Sequence, residues 1–174
     1  MRLFVAIDLD QESYFQQIQE KIPETKATYP KIFHLTLKFL GETDKQQEIA
    51  QALEKIKFKT FKLKTTKIGI FPSENYIRVV WLGLEDNNEL KKLQQDVEKL
   101  LEPFKFKKDH VFHPHITLAR IKFIKPAQKK DFIEKLKQIK IEEKEFQVKE
   151  FKLIKSELTR EGPIYEDVKV FSAK

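Results

Sequence analysis

At 174 residues, 40% of them hydrophobic and 35% charged, the chain is long enough to bury the core of one self-supporting domain. It contains no cysteine, which excludes disulfides, thiol catalysis and every cysteine-ligated metal site. A formal charge of +7 favours polyanionic partners such as nucleic acid but says nothing about the fold.

Taken in chain order, strands and helices alternate. Residues 2–8 (RLFVAID) form a short apolar strand. No apolar run approaches the ~20 residues of a membrane span, and this N-terminus lacks the features of a signal peptide, so a cytoplasmic location is expected. Asp10 can cap a helix running through Ile22, with Tyr14, Ile18 and Ile22 as its apolar stripe. Residues 33–40 (FHLTLKFL) read as a strand that Gly41 ends. Thr43 and Gln46 have the spacing of a capping box for a helix carrying Ile49, Leu53 and Ile56. Residues 61–70 and 76–82 are two strands joined by a Pro72-Ser73-Glu74-Asn75 turn. Leu90, Leu93, Val97, Leu100 and Leu101 mark a helix that Pro103 stops. Residues 115–121 (HITLARI) form the next strand, and Pro126 opens a helix with Phe132, Leu136 and Ile139. Residues 146–154 and 164–171 are the last strands.

This order repeats. The sequence strand–helix–strand–helix–strand occurs twice, with offsets of 75 residues from Phe4 to Val79, 81 from His34 to His115 and 85 from Phe61 to Phe146. Two copies are too few for a solenoid. They predict one bilobal domain, 1–174, built from pseudo-repeats at roughly 1–75 and 76–174.

The polar residues of the repeat match best. His34-Leu35-Thr36-Leu37 answers His115-Ile116-Thr117-Leu118, a His-x-Thr-x pattern in each copy. On a strand, residues two apart share a face, so each copy offers an imidazole beside a hydroxyl. A histidine titrates near ~6.5, so of two opposed imidazoles one can act as base and the other as acid near neutral pH. The threonine hydroxyls can donate to non-bridging phosphate oxygens. This set suits in-line displacement at a strained cyclic phosphodiester, without a metal. The ordinary alternative is a satisfied histidine on a strand where Thr is simply a good strand residue. Coincidence at equivalent points of both copies favours chemistry.

Other polar residues leave choices open. His113 and His115 could form a His-x-His metal pair, although Pro114 interrupts the strand and Ile32 occupies the matching position in the first copy. His110 and His113 otherwise read as loop residues at a cleft entrance. Arg120 is a candidate phosphate ligand, yet strict alternation puts it on the face opposite His115 and Thr117 unless the strand bulges. Lys38 shares the face of His34 and Thr36 by the same count, and is a second candidate cation. Lys57, Lys59, Lys62 and Lys64, interleaved with Phe58, Phe61 and Leu63, could track an RNA backbone or form a solvated strand face; FKFKK at 104–108 is similar.

With these motifs in place, the chain resembles the two-histidine phosphoesterase superfamily, and within it the RNA 2′,3′-cyclic phosphodiesterases once called 2′-5′ RNA ligases. RLFVAIDL, FHLTLKFLGE, FHPHITLAR and LIKSELTREGPIYEDVKVF carry the resemblance nearly end to end. It implies an α+β bilobal fold, with two antiparallel sheets related by a pseudo-twofold axis around a central cleft and helices outside. It implies hydrolysis of a terminal 2′,3′-cyclic phosphate on RNA or a nucleotide to a 2′-phosphate, and in some members 2′-5′ joining in reverse. The family's histidines carry over to His34 and His115, its threonines to Thr36 and Thr117, and its motif arginine to Arg120; His34 is assigned as acid and His115 as base. No cofactor, metal or membrane partner is expected, and the enzyme is expected to be a monomer. Phe33 and Phe112 flank the motifs and could tune the pocket. The competing readings are a non-catalytic RNA-binding domain on the same scaffold, a metal hydrolase on the 110–115 histidines, and a phosphodiesterase for 2′-5′ oligonucleotides or other small cyclic phosphates.

Overall fold

Alternating apolar residues make the strands and three-to-four spacing makes the helices in the computed structural model, which describes residues 1–108 and 111–174. In chain order the elements are β1 (Arg2–Asp8), α1 (Glu12–Lys21), β2 (Lys26–Thr28), β3 (His34–Glu42), α2 (Gln46–Leu53), β4 (Phe61–Ser73) and β5 (Tyr76–Leu84). They continue with α3 (Asn88–Leu101), a 3₁₀ turn (Glu102–Phe104), β6 (His115–Phe123), α4 (Pro126–Gln138), β7 (Glu145–Val148), β8 (Glu150–Thr159) and β9 (Gly162–Ser172). The strands lie in the order β7-β4-β5-β6-β3-β1-β8-β9, all neighbours antiparallel, with β2 also on β6.

Two arms meet in the middle of that order. β3-β1-β8-β9 makes one and β7-β4-β5-β6 the other, and a single paired position, Leu35 with Ile116, joins them. In terms of the repeat the order is palindromic. The third strand of the first copy (β4) stands beside the first two of the second (β5, β6); the third of the second (β8) stands beside the first two of the first (β1, β3). The copies have exchanged their last strands around a pseudo-twofold axis between β3 and β6. This is the bilobal α+β fold that the motifs implied.

The helices cover one face. Phe15 and Ile18 of α1, Ile49 and Leu53 of α2, Leu90, Leu93, Val97 and Leu101 of α3, and Phe132 and Leu136 of α4 share one core with Leu3, Val5, Ile7, Leu35 and Ile116 of the sheet. The intervening residues of β1 point the other way, where Phe4 and Ala6 cluster with Ile154 and Tyr165. That second face is left for the site. Among the described residues no helix is long and apolar enough to cross a membrane.

Several local details differ from the linear reading. Helix α1 begins at Glu12 after Gln11 in the left-handed region (φ 73°), so Asp10 does not cap it. Its stripe is Phe15, Ile18 and Ile22, while the Tyr14 hydroxyl sits at the edge, hydrogen-bonded to Thr65 and the Glu142 carbonyl. The Thr43 hydroxyl accepts from the Lys45 N–H in a tight turn, and the capping box does not form. Gly41 does not end β3; it pairs with Leu3 beside a bulge, and its φ of 74° is one that glycine adopts without strain. The β4–β5 turn contains only Glu74 and Asn75, and β2 was not expected. The strand predicted over 146–154 is two strands, β7 on β4 and β8 on β1. Its apolar phase betrays the break: Phe146 and Val148 are even, Phe151 and Leu153 odd.

Candidate active site

Leu35 and Ile116, the one pair that joins the arms, are both fully buried on the helix side. Their neighbours His34, Thr36, His115 and Thr117 are half-buried and face the opposite way. Counting one step from the pair sets His34 against Thr117 and Thr36 against His115. The two histidines then lie on a diagonal across this crossing. The two motifs, 81 residues apart in the chain, meet on one face.

The histidines differ in what holds them. His34 Nδ1–H donates to Asp8 Oδ1 at 2.8 Å, and Asp8 pairs with it in register from β1. The ring is held edge-on by Tyr165 (centroids 4.9 Å) and Phe4 (5.5 Å). Because Nδ1 carries the proton, Nε2 is the other ring nitrogen; it is buried, and among the described residues nothing hydrogen-bonds to it. The other Asp8 oxygen lies 2.6 Å from Lys152 Nζ, which also binds Asp167 at 2.7 Å. Burial works against the Asp8 charge, but the hydrogen bonds from His34 and Lys152 outweigh it and hold the carboxyl below its usual range. Burial likewise opposes the Lys152 charge, and the two carboxylates overcome it and raise the ammonium pKa.

Among the described residues His115 has no carboxylate partner. Its Nδ1–H donates to the His113 carbonyl at 2.7 Å, and Phe71 (5.0 Å) and Trp81 (6.2 Å) flank the ring. Gly83 pairs with His115 where Asp8 pairs with His34. Burial above all pushes the His115 imidazole below its ordinary value; the charges of His113 and Arg120 add to this and the carbonyl hydrogen bond opposes it. Gly69 makes room for this wall, since an added Cβ would stand 2.1 Å from the Trp81 ring.

A bulge settles the cations. In β6, Thr117 pairs with Trp81 and Ala119 with Val80, leaving Leu118 as an extra residue. The alternation therefore shifts by one, and Arg120 emerges exposed on the side of His115 and Thr117, with its charge felt at both His115 and Tyr165. The same bulge occurs in β3 at Leu37, and there it takes Lys38 away. Lys38 is 2% exposed, turned to the helix side, and bound by both Glu98 oxygens of α3 at 2.8 Å. It is not a cation of this face. Phe39, the counterpart of Arg120, takes the open position: it is 45% exposed, stacked on Phe4, with the Arg2 guanidinium 5.2 Å over its ring.

Other expected residues lie elsewhere. Phe33 is buried in the helix-side core, stacked on Phe15 at 4.6 Å, and Phe112 packs against the same core. Lys62 and Lys64 are met by Glu145 and Glu143, and Lys108 by Glu102, so part of each stretch is paired with carboxylates. His113 packs against Phe71 and Trp81, 6.4 Å from the His115 ring; His110 lies outside the described residues. Among the described residues no three His, Asp or Glu side chains gather as a ligand set. Linear reasoning missed Asp8, Lys152 and Tyr165. Asp8 carried a signal, since Phe4, Ala6 and Asp8 alternate onto the face that Leu3, Val5 and Ile7 leave.

Comparisons with known proteins identify the family. The model of the LigT-like phosphoesterases matches twice, at residues 7–81 and 82–165. An RNA 2′,3′-cyclic phosphodiesterase of Methanocaldococcus jannaschii is 40% identical, over 97% of this chain and 99% of its own. One from Archaeoglobus fulgidus is 36% identical, over 98% and 99%. The crystal structure of TT0787 of Thermus thermophilus superposes with a TM-score of 0.77 at 30% identity, over 99% of this chain and 97% of that one. Two matched histidine strands, meeting at one pair in a palindromic sheet, and these relatives lead to the same place: the chain belongs to the LigT-like phosphoesterase family.

Proposed function

We propose that this protein is an RNA 2′,3′-cyclic phosphodiesterase that opens a terminal 2′,3′-cyclic phosphate to a 2′-phosphate with His34 and His115 alone as acid and base. The observation that carries this reading is the pair of imidazoles on one face, each tied through Nδ1 and each with Nε2 left to react. His115, backed by a neutral carbonyl and held below its ordinary pKa, is the base that takes a proton from the attacking water. Water oxygen bonds to phosphorus, the P–O3′ bond breaks in line, and His34 Nε2–H protonates the leaving O3′. Asp8 offsets the imidazolium charge that His34 carries before this step. Thr36, Thr117 and Arg120 bind the non-bridging oxygens, where negative charge grows.

The names of the relatives support the substrate class. The whole chain, 1–174, acts as one catalytic domain of two pseudo-repeats, each arm taking strands from both copies. It works as a monomer in the cytoplasm, needs no cofactor, and joins 2′-5′ ends when an RNA 5′-hydroxyl takes the place of water as the nucleophile and O3′ again leaves. Product analysis tests this: RNAs and mononucleotides ending in a 2′,3′-cyclic phosphate, incubated with EDTA, should yield only 2′-phosphates. A 3′-phosphate product, or activity lost to the chelator and restored by metal, refutes the mechanism.

A further inference from the structure

Beyond the two histidines, a line of alternating charge crosses the open face on three strands. Asp167 of β9, Lys152 of β8 and Asp8 of β1 follow one another at 2.7 and 2.6 Å and end on His34 Nδ1 at 2.8 Å. Lys152 pairs in register with Ala6, and Asp167 with Ile154, so the ladder itself sets the spacing. The Lys152 side chain is only 15% exposed, and both its anionic partners come from neighbouring strands.

We infer that Lys152, anchored by Asp167, is a positioning residue that acts through Asp8 to set the tautomer and proton affinity of His34. The inference rests on the reading of His34 as the acid. Asp8 accepts from His34 Nδ1–H at one oxygen and from the Lys152 ammonium at the other. Its carboxylate locks Nδ1–H on His34 and favours the imidazolium, while Lys152 draws part of the same negative charge away. Lys152 therefore limits the proton affinity that Asp8 alone would confer, and an acid that bound its proton too tightly would give it up slowly to O3′. The other charged or titratable groups around His34 are Tyr165, against its ring, with Arg2 and Arg120 beyond it, and His115 across the strand pair. Among the described residues the second histidine has nothing comparable, and Gly83 stands where Asp8 would.

Opposite shifts make the test specific. Histidine side-chain nitrogen NMR on the substrate-free protein reads the tautomer and titration of His34 directly. Asp8→Asn should release the Nδ1–H tautomer and make His34 titrate at lower pH. Lys152→Met, which leaves Asp8 to His34 alone, should keep the tautomer and make it titrate at higher pH. In turnover, the basic limb of the kcat profile should move down in the first and up in the second, with KM within about twofold because neither residue touches the substrate. Lys152→Arg should restore the wild-type limb. Circular dichroism melts identify any variant that fails to fold, for which Asp167→Asn, a milder loosening of Lys152, is the substitute. Shifts in one direction for both variants, or no shift, overturn the inference. A wild-type protein with no turnover would instead defeat the functional reading while leaving the NMR titration to judge this one.

Discussion

The arm built on His34 and the arm built on His115 start from one pattern and end in different chemistry. Each has a His-x-Thr strand with a bulge at the third residue after the histidine, and each histidine is tied through Nδ1. Behind Nδ1, however, one arm has a carboxylate wired to a lysine and the other a peptide carbonyl. At the bulge, one arm presents Phe39 and the other Arg120. Symmetry brings two like groups to one face. Departures from symmetry give the two imidazoles different partners, which is what the proposed division into acid and base rests on, and put Arg120 on the His115 side and Phe39 on the His34 side.

Removing either imidazole tests the comparison most severely. His34→Ala and His115→Ala should each lower kcat by at least ~10²-fold, with unchanged melting curves. The double variant should be little worse than the poorer single one, since the two act as a unit. Retained activity in either variant would mean the arms are not partners.

Arg120→Ala sharpens the contrast between the arms. Losing a donor to the developing phosphate charge should lower kcat/KM by about 10²-fold. It should also shift the acidic limb. In the wild type that limb belongs to His115, whose pKa is depressed, so activity should persist to a pH below the ordinary histidine value of ~6.5. Removing the Arg120 charge raises the His115 pKa and moves the limb up; a limb at or above that ordinary value in the unaltered protein would contradict the assignment of His115 as base. The same depression has a stability counterpart. His115 is held neutral in the fold, so its contribution is complete above the unfolded-state value and lost as pH falls toward the folded one.

The smallest catalytic effect is expected at Lys38. Its ion pair with Glu98 lies behind the site, so Lys38→Met should leave kcat and KM alone while lowering stability by up to about 3 kcal/mol, because Glu98 loses its partner. Replacing Glu98 by Leu as well should recover part of that loss in a denaturant titration. A change in KM for Lys38→Met would return that lysine to the substrate.

The bulges show how far linear reading reaches. Strict alternation from His115 turns Arg120 away, and from His34 it keeps Lys38 in; the structure reverses both. A trace was legible, because buried Leu37 and Leu40 are three apart, as are Leu118 and Ile121, where an unbroken strand would space them by two. The same phase change between Val148 and Phe151 marks the passage of the chain from one arm to the other. Such traces say that a strand is interrupted, and leave open which neighbour it then joins.

What the amino-acid order determined by itself was periodic and local: the types of the long elements, the twofold repeat, and the pairs His34 with Thr36 and His115 with Thr117. These follow from side-chain alternation along one strand and need no partner to be read. Tertiary structure alone decided that Leu35 meets Ile116, that Asp8, Lys152 and Asp167 line up behind one histidine, and that Lys38 is buried against Glu98. Those are contacts between residues 15 to 144 positions apart in the chain, set by strand register and by the exchange of β4 and β8 between copies, and spacing along a chain holds no record of which distant strand lies beside it.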